Sequence, residues 1–184
     1  MSYQYINYEQ DGRVAILTIN RHDKRNALDK ATRLEIKDVQ ERVAADDSVG
    51  VLVITGAGDK AFIAGSDLNE FGRMNPLEAY RFLDTLAQRL YTRFEELDKP
   101  VIAMINGLCL GGGCEIALAC DLRIAAAGAR FGQPEINLGI IPGSGATQRL
   151  TRLVGVGKAR ELIFTGDIID AAEAQAIGLV NRVH

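Results

Sequence analysis

Apolar and polar positions follow two different periods along this chain of 184 residues. Runs rich in apolar and β-branched residues, bounded by glycine or polar residues, occupy 13–20, 49–56 and 100–107. All three runs predict short strands, and those at 49–56 and 100–107 suit strands buried on both faces, as in parallel sheets. In the stretches that separate these runs, apolar residues recur every three or four positions, which predicts amphipathic helices. The alternation of strands and helices indicates an α/β fold.

The first predicted helix follows Asn26, and the second begins at Pro76, a residue type favoured in the first turn of a helix. The apolar face of the first helix consists of Leu28, Thr32, Ile36, Val39 and Val43, and that of the second of Leu83, Leu86, Leu90 and Leu97. A third helix is predicted from about Gly113 to Cys120. The remaining elements are predicted as two short strands within 122–135, helices closed by glycine at 145–155, 157–166 and 170–178, and a last strand at 179–183.

Composition and charge are those of one ordinary globular domain, residues 1–184. Hydrophobic residues make up 47% of the chain and charged residues 24%, and the net charge is −3 with scattered basic residues, which argues against a nucleic-acid binder. The sequence has neither a secretory N-terminal pattern nor an apolar run of about 18 residues, so we expect no secretion and no membrane span. Cys109, Cys114 and Cys120 lie in one apolar stretch, which predicts core residues of a cytoplasmic protein rather than disulfides.

Two glycine-rich turns precede predicted helices and carry the candidate chemistry. The first N–H groups of a helix have no partner within it and attract negative charge. Gly111, Gly112 and Gly113 have no side chain, so a ligand atom can approach these groups closely. Gly65 and Ser66 form a similar turn after another apolar stretch. Two such turns facing each other would aim two N–H donors at one oxygen atom, which is an oxyanion hole.

Two glutamates accompany these turns. Glu115 lies two residues beyond the last glycine in an otherwise apolar helix, and Glu135 follows Pro134 in an apolar, glycine-rich segment. Burial raises the pKa of a carboxyl group toward the range useful for proton transfer, so this pair is suited to exchanging protons beside a carbonyl group. The structural alternatives are that Glu115 stabilises the helix N-terminus and that Glu135 is a surface loop residue.

Other familiar sites do not match the sequence. No stretch has the three glycines of a dinucleotide-binding loop or the full pattern of a P-loop. Neither Ser66 nor Ser144 lies in the G-x-S-x-G turn of a hydrolase. His22 and His184 are the only histidines, and the cysteine spacing is poor for zinc, so we predict no metal site.

Five segments together resemble the enoyl-CoA hydratase/isomerase family, the crotonase-like proteins. In order along the chain they are NRHDKRNALD, KAFIAGSDLNEF, NGLCLGGGCEIALACDLRIAA, ARFGQPEINLGIIPGSGATQRLTRLVG and TGDIIDAAEAQAIGLVNRV. They cover nearly the whole chain, and their combination is highly specific. The resemblance implies a crotonase-like spiral of β-β-α units with two roughly perpendicular sheets. It also implies an acyl-CoA thioester as the substrate.

Matched residue by residue, the resemblance assigns the chemistry to four positions. The backbone N–H groups of Ser66 and Gly112 would form the oxyanion hole for the thioester carbonyl. Glu115 would activate water for attack at C3, and Glu135 would supply the proton at C2. Family members with both glutamates resemble hydratases, so the resemblance implies reversible hydration of a 2-enoyl-CoA to a 3-hydroxyacyl-CoA. No cofactor is implied besides the CoA of the substrate.

The resemblance also implies substrate contacts and an assembly. Lys60 would approach the CoA phosphates, and Ala64 would present its backbone carbonyl to the adenine. Asp67 is expected to contact the substrate and also to cap the helix that follows. The other residues expected to contact the substrate are Arg25, Ala27, Leu28, Leu68, Gly111 and Pro134. The implied assembly is a homotrimer or a hexamer made of two trimers.

Two departures from the family pattern leave alternatives open. His22 stands where the family usually has proline. The family also continues beyond Val183 into helices that cover part of the acyl pocket and build the trimer, whereas this sequence ends at His184, so we expect that region to be absent. The alternatives are a 3,2-enoyl-CoA isomerase or another thioester-enolate reaction, and a non-catalytic acyl-CoA-binding protein.

Overall fold

Two β-sheets and the helices around them form the fold of residues 3–72 and 74–184, the part of the chain that this computed structural model describes. The strands are β1 (Ile6–Asp11), β2 (Val14–Ile19), β3 (Val51–Gly56), β4 (Ala61–Ile63), β5 (Val101–Ile105), β6 (Leu108–Leu110), β7 (Leu122–Ala125), β8 (Arg130–Gly132), β9 (Ile168–Asp170) and β10 (Arg182–Val183). The α-helices are α1 (Lys30–Ala45), α2 (Leu68–Phe71), α3 (Pro76–Phe82), α4 (Gln88–Glu95), α5 (Gly112–Ala119), α6 (Ala146–Val154), α7 (Val156–Thr165) and α8 (Ala171–Ala176). Short 3-10 turns occupy His22–Lys24 and Pro134–Leu138, and a π-helical turn occupies Leu83–Ala87.

The two sheets are extended together as the chain proceeds. The larger sheet has the order β1-β2-β3-β5-β7-β10, in which β1 and β2 are antiparallel and the other pairs are parallel. The smaller sheet has the order β4-β6-β8-β9, in which only β8 and β9 are antiparallel. The pairs β3–β4, β5–β6 and β7–β8 each add one strand to each sheet and are followed by helices. This confirms the predicted α/β fold and its spiral of β-β-α units.

The three apolar runs of the sequence become three adjacent strands of the larger sheet. Val14 of β2 is paired with Val51 of β3, and Leu52 of β3 is paired with Val101 of β5. Leu52, Val101 and Leu17 are all fully buried in the main core. The strand predictions are confirmed. Burial on both faces is incomplete, since alternate side chains are buried in the core while most of the others are half-buried and Met104 is exposed.

Helix α1 begins where the sequence has a capping residue. The Asp29 side chain accepts a hydrogen bond from the Thr32 N–H at 2.8 Å, which satisfies one of the unpaired donors at the helix start. The predicted apolar face is confirmed, since Thr32, Ile36, Val39 and Val43 are buried. Leu28 is also buried, but it precedes the helix.

The second predicted helix is interrupted. The π turn at Leu83–Ala87 separates α3 from α4, and such a turn holds one more residue than an α-helical turn. The predicted face is therefore only partly correct: Leu90 is buried, whereas Leu83 and Leu86 are half-buried. The residues that α3, the π turn and α4 bury are Phe82, Ala87, Leu90, Tyr91 and Phe94.

Helix α5 is buried along its whole length. It contacts β6, α4 and α6, so its first turn is held from several sides. Cys109, Cys114 and Cys120 are free and buried in this region, which confirms the prediction that they are core residues. A carboxylate in the first turn of α5 is consequently both removed from solvent and fixed in place.

Candidate active site

Three turns meet at one edge of the smaller sheet. Strands β4, β6 and β8 are parallel neighbours, so their carboxyl ends lie side by side. Gly65 and Ser66 follow β4, Gly111 follows β6, and Gln133 follows β8. The Gly111 N–H donates to Gly132 O at 3.0 Å and so joins two of the turns. The carboxyl edge of parallel strands is the usual place for a ligand in an open α/β sheet.

The backbone around Ser66 leaves its N–H pointing away from its bridge partner. Ser66 forms an isolated parallel bridge with Leu28, in which the Leu28 N–H donates to Gly65 O and Leu28 O accepts from the Asp67 N–H, both at 2.9 Å. These bonds use the groups of the residues on either side of Ser66. The Ser66 N–H itself makes no hydrogen bond to any described residue.

The second candidate donor is the N–H of Gly112, the first residue of α5. It has no backbone partner among the residues described, as expected for the start of a helix. A methyl group added at Gly112 would lie 3.6 Å from the Ser66 nitrogen and 3.1 Å from Ser66 Oγ. The two turns are therefore adjacent, and glycine leaves open the space between them.

Glu115 reaches from α5 to the start of α6. It is 3% exposed, and its Oε1 accepts hydrogen bonds from the Ser144 N–H at 2.7 Å and the Ala146 N–H at 3.1 Å. Burial raises the pKa of Glu115, and it outweighs the opposing effects of those N–H groups and of the Arg149 charge. The surroundings thus hold the carboxyl group rigidly and make it a stronger base than an exposed glutamate.

Glu135 lies in the 3-10 turn after β8, beside Gly111. A methyl group added at Gly111, where φ is +49°, would lie 3.2 Å from Glu135 Oε1. The Gln133 amide, oriented with its nitrogen toward the carboxylate, donates to both Glu135 oxygens at 3.0 and 3.1 Å. Burial, with a contribution from the Glu115 charge, raises the pKa of Glu135 to about 7. The alternative of a surface loop residue does not fit this environment.

Both carboxyl groups and both N–H donors line a single cleft of about 1130 Å³. Its apolar wall includes Ala79, Leu83, Leu138, Ile140, Ile141 and Pro142. The arrangement combines two donors for one oxygen atom, two proton-transfer groups and an apolar binding surface. It is suited to reactions beside a carbonyl group that becomes an oxyanion.

Comparison with known proteins agrees with this geometry. The sequence pattern that defines the enoyl-CoA hydratase/isomerase family matches residues 9–184. The chain belongs to this family. It is 51% identical over 183 residues to crotonyl-CoA hydratase of Syntrophomonas wolfei and 50% identical to short-chain-enoyl-CoA hydratase of Clostridium acetobutylicum. Each alignment covers 100% of this chain and 70% of the relative.

Solved structures of the family have the same fold. The crystal structure of enoyl-CoA hydratase from Bacillus anthracis superimposes with a TM-score of 0.95 at 43% identity. That match covers 98% of this chain and 70% of the crystallised chain. The family resemblance drawn from the sequence is thereby confirmed.

The other residues expected to contact the substrate fall into two groups. Ala64, Leu68, Gly111 and Pro134 line the cleft. Arg25, Ala27, Leu28, Lys60 and Asp67 lie outside its lining. The Arg25 and Lys60 side chains are exposed, and the Ala64 N–H donates to Arg25 O at 3.1 Å, so Arg25 lies next to the cleft wall.

Leu28 and Asp67 support the site from behind. Leu28 is fully buried, and its backbone forms the bridge to Ser66. Asp67 accepts from the Asn69 N–H at 3.2 Å, which confirms the expected cap of α2, and it forms an ion pair with Arg21 at 3.1 Å. Direct contact of these two side chains with a substrate does not follow from this placement.

Sequence reasoning missed several residues that shape the site. Gln133 is 1% exposed and holds Glu135, and the N–H groups of Ser144 and Ala146 hold Glu115. Two more, Arg33 and Tyr91, are buried behind Ser66 and Gly112. Gln133 lies two residues before Glu135 in sequence, which was a usable signal, whereas the others come from distant segments and had none.

The described residues contain neither a cluster of metal-binding side chains nor a membrane-spanning helix. No group of three or more histidine, cysteine, aspartate or glutamate side chains among them is arranged to hold a metal ion. In the same part of the chain, no helix has both the length and the apolar character needed to cross a bilayer.

Proposed function

We propose that this protein is an enoyl-CoA hydratase that adds water reversibly to a 2-enoyl-CoA, giving a 3-hydroxyacyl-CoA. The observation that carries the proposal is the convergence on one cleft of two carboxyl groups and two N–H groups that have no partner among the described residues. Among the relatives, the names crotonyl-CoA hydratase and short-chain-enoyl-CoA hydratase support a short acyl chain as the substrate.

The proposed reaction begins with the thioester carbonyl oxygen accepting hydrogen bonds from the Ser66 and Gly112 N–H groups. These donors stabilise the negative charge that develops on that oxygen as C3 is attacked. Ionised Glu115 takes a proton from the attacking water, and neutral Glu135 gives a proton to C2. Each addition leaves a proton on Glu115 and a charge on Glu135, and exchange with solvent restores both.

The two pKa shifts are consistent with this division of roles. A pKa of about 7 leaves a large share of Glu135 protonated at neutral pH, which a proton donor needs. Burial raises the pKa of Glu115 and so strengthens it as a base, while two N–H groups at the start of α6 oppose that shift and favour the carboxylate. Acid–base chemistry and two N–H donors suffice for hydration, so the proposal includes no cofactor besides the CoA of the substrate.

The CoA portion is proposed to lie along the exposed side of the cleft wall. Lys60 would approach the phosphates, the Ala64 carbonyl would face the adenine, and Arg25 and Ala27 would line the channel. Leu28 and Asp67 act in this proposal through the Ser66 bridge and the α2 cap. Replacement of Lys60 by Gln is expected to raise the KM for an enoyl-CoA with little effect on kcat, because only binding is changed.

We further propose a cytoplasmic homotrimer or a hexamer made of two trimers. Three free buried cysteines support a reducing compartment. Large apolar side chains that remain exposed near the cleft and on α7, including Ile141 at 72% and Phe164 at 69%, support an interface. Light scattering on purified protein measures the assembly directly, and a stable monomer would contradict this part of the proposal.

The deciding assay follows the loss of the conjugated enoyl-thioester absorbance when crotonyl-CoA is hydrated. Glu115→Gln and Glu135→Gln are each expected to lower kcat by at least about 100-fold, because each removes one proton-transfer group. The control is Glu41→Gln, the same change at an exposed residue paired with Lys37 on α1.

Three outcomes separate the candidate functions. Hydration by the wild type and its loss in both variants would support the hydratase. Conversion of 3-butenoyl-CoA to the conjugated thioester that survives Glu115→Gln would indicate the isomerase instead. Binding of crotonyl-CoA without turnover of either thioester would indicate a non-catalytic acyl-CoA-binding protein.

A further inference from the structure

A buried arginine without a carboxylate partner lies directly behind Ser66. Arg33 is the fourth residue of α1 and is 1% exposed. Its Nη2 donates to Ser66 Oγ and its Nη1 to Leu28 O, both at 2.7 Å. The guanidinium group also lies over the Phe82 ring, 5.1 Å from the ring centroid. Arg33 takes part in none of the ion pairs of the described residues.

The stability of α1 does not explain this arginine. A cation in the first turn of a helix is disfavoured by the helix dipole, and a buried charge without a counter-ion is costly to desolvate. Two polar atoms at this position, Arg33 Nε and the Tyr91 hydroxyl oxygen, are buried without a hydrogen-bond partner among the described residues. Placing a charged side chain at this position therefore lowers the stability of the folded protein.

The buried Arg123 provides a contrast. Its nitrogens donate to Ala117 O at 3.2 Å, Cys120 O at 2.6 Å and Leu179 O at 2.9 Å. Carbonyl groups at the end of a helix lack partners within the helix, so Arg123 satisfies the end of α5. Arg33 has no comparable structural task, because its two hydrogen bonds go to the two residues of one bridge.

That bridge orients the proposed oxyanion-hole donor. Arg33 contacts Leu28 and Ser66, which are each other's bridge partners, and the bridge leaves the N–H of Ser66, a residue that lines the cleft, unused. A methyl group added at Gly112, the other donor, would lie 3.1 Å from Ser66 Oγ and 3.0 Å from the Tyr91 hydroxyl. The guanidinium is thus separated from the oxygen-binding point by little more than one residue and is itself almost fully buried.

We propose that Arg33 is a positioning residue of the thioester site, which holds the Ser66 N–H in place and whose charge favours an anionic, enolate-like ligand over a neutral one. The inference rests on the proposed function, since it assumes that Ser66 and Gly112 bind a thioester oxygen. Arg33 acts through Ser66 and does not itself reach the cleft. The electrostatic effect of a buried charge on a nearby ligand is stronger in a water-poor interior than at the protein surface.

The first test compares two CoA thioesters that differ in charge. Acetoacetyl-CoA ionises to an enolate that absorbs in the near ultraviolet, whereas butyryl-CoA stays neutral. Glu115 and Glu135 face the same ligand, so all measurements are made at one fixed, mildly alkaline pH. Arg33→Met, of similar length but uncharged, is expected to lower the enolate fraction of bound acetoacetyl-CoA. Its affinity for acetoacetyl-CoA is expected to fall on the order of tenfold, with little change for butyryl-CoA.

The second test is kinetic. Arg33→Met is expected to lower kcat for crotonyl-CoA hydration on the order of tenfold while KM changes little, because the charge acts mainly on the developing oxyanion. Arg33→Lys retains a charge but not the paired hydrogen bonds and is expected to recover part of the loss. Ser66→Ala keeps the backbone N–H and removes only the link to Arg33. It therefore tests the same coupling if Arg33→Met does not fold.

The matched control is Gln40→Met, which also removes a buried polar side chain from α1. Gln40 donates to Leu90 O at 2.8 Å and has no hydrogen bond to Ser66 or Gly112. It is expected to lower stability while leaving kcat and the enolate fraction at wild-type values. Equal effects of Gln40→Met and Arg33→Met on these two quantities would overturn the inference.

The inference and the proposed function fail in different ways. Wild-type values of kcat and enolate fraction in Arg33→Met and Ser66→Ala would overturn the role of Arg33 and leave the hydratase intact. Enolate binding that depends on Arg33, in a wild type that does not hydrate crotonyl-CoA, would support the inference and refute hydration. A wild type that binds neither thioester would overturn both.

Discussion

Replacing Glu135 with glutamine is expected to stabilise the fold while abolishing the proposed activity. Burial raises the pKa of this carboxyl group from 4.5 to about 7, so the folded protein binds its proton more tightly than the unfolded chain does. Between those two pH values the folded state holds more protons, and the free energy of unfolding must fall as pH rises. Above about pH 7 Glu135 is ionised in the folded protein as well, and the free energy of unfolding is then reduced by the full cost of ionising this carboxyl group in its partly buried site.

The size of this cost follows from the two pKa values. The interval from 4.5 to about 7 corresponds to about 3.4 kcal/mol as an upper limit. Because the carboxyl group lines a cleft that water enters, screening reduces this figure, and we expect a gain of about 1–2 kcal/mol for Glu135→Gln at pH 8. About a quarter of that gain should remain at pH 5, where the wild-type group is still mostly neutral in the folded state.

Urea unfolding of wild type and Glu135→Gln at pH 5 and pH 8 measures the effect. Glutamine still accepts a hydrogen bond from the Gln133 amide, so the substitution changes charge with little change in packing. Glu41→Gln, at an exposed residue of α1, serves as the control and is expected to show no gain that grows with pH. A Glu135→Gln protein no more stable than wild type at pH 8, or equally stabilised at both pH values, would refute the reasoning.

Three further substitutions test other parts of the site. Gly111→Ala places a methyl group 3.2 Å from Glu135 Oε1 at φ +49°, so urea unfolding should show a loss of about 1–3 kcal/mol, with slower crotonyl-CoA hydration; unchanged stability would contradict the strain. Asp67→Ala removes a helix cap and the Arg21 ion pair and should lower the unfolding free energy by about 1–2 kcal/mol, whereas Asp67→Asn should retain the cap. Tyr91→Phe removes a buried hydroxyl group that has no hydrogen-bond partner among the described residues, so the unfolding free energy should stay constant or rise by up to about 1 kcal/mol; a clear loss of stability would reveal a partner for this hydroxyl.

Local patterns predicted most of the elements. The runs at 13–20, 49–56 and 100–107 became β2, β3 and β5, which bury one face in the core and leave most side chains of the other face half-buried. The main departure was the π turn at Leu83–Ala87, which shifts the buried face of the second helix. A π turn arises where tertiary packing favours an extra residue in the turn, and the helical spacing of the sequence contains no sign of it.

The chain on its own determined which groups carry the proposed chemistry. Glycines before helices leave N–H groups accessible, and glutamates in apolar surroundings have raised pKa values, so Gly112, Glu115 and Glu135 were identifiable from residue type and neighbours. Only the tertiary structure decided that these groups share one cleft, because the turns after β4, β6 and β8 meet through strand pairing between segments far apart in sequence. The same long-range packing places Arg33 behind Ser66. Its charge therefore lies close to the proposed oxyanion hole, which its position in α1 does not indicate.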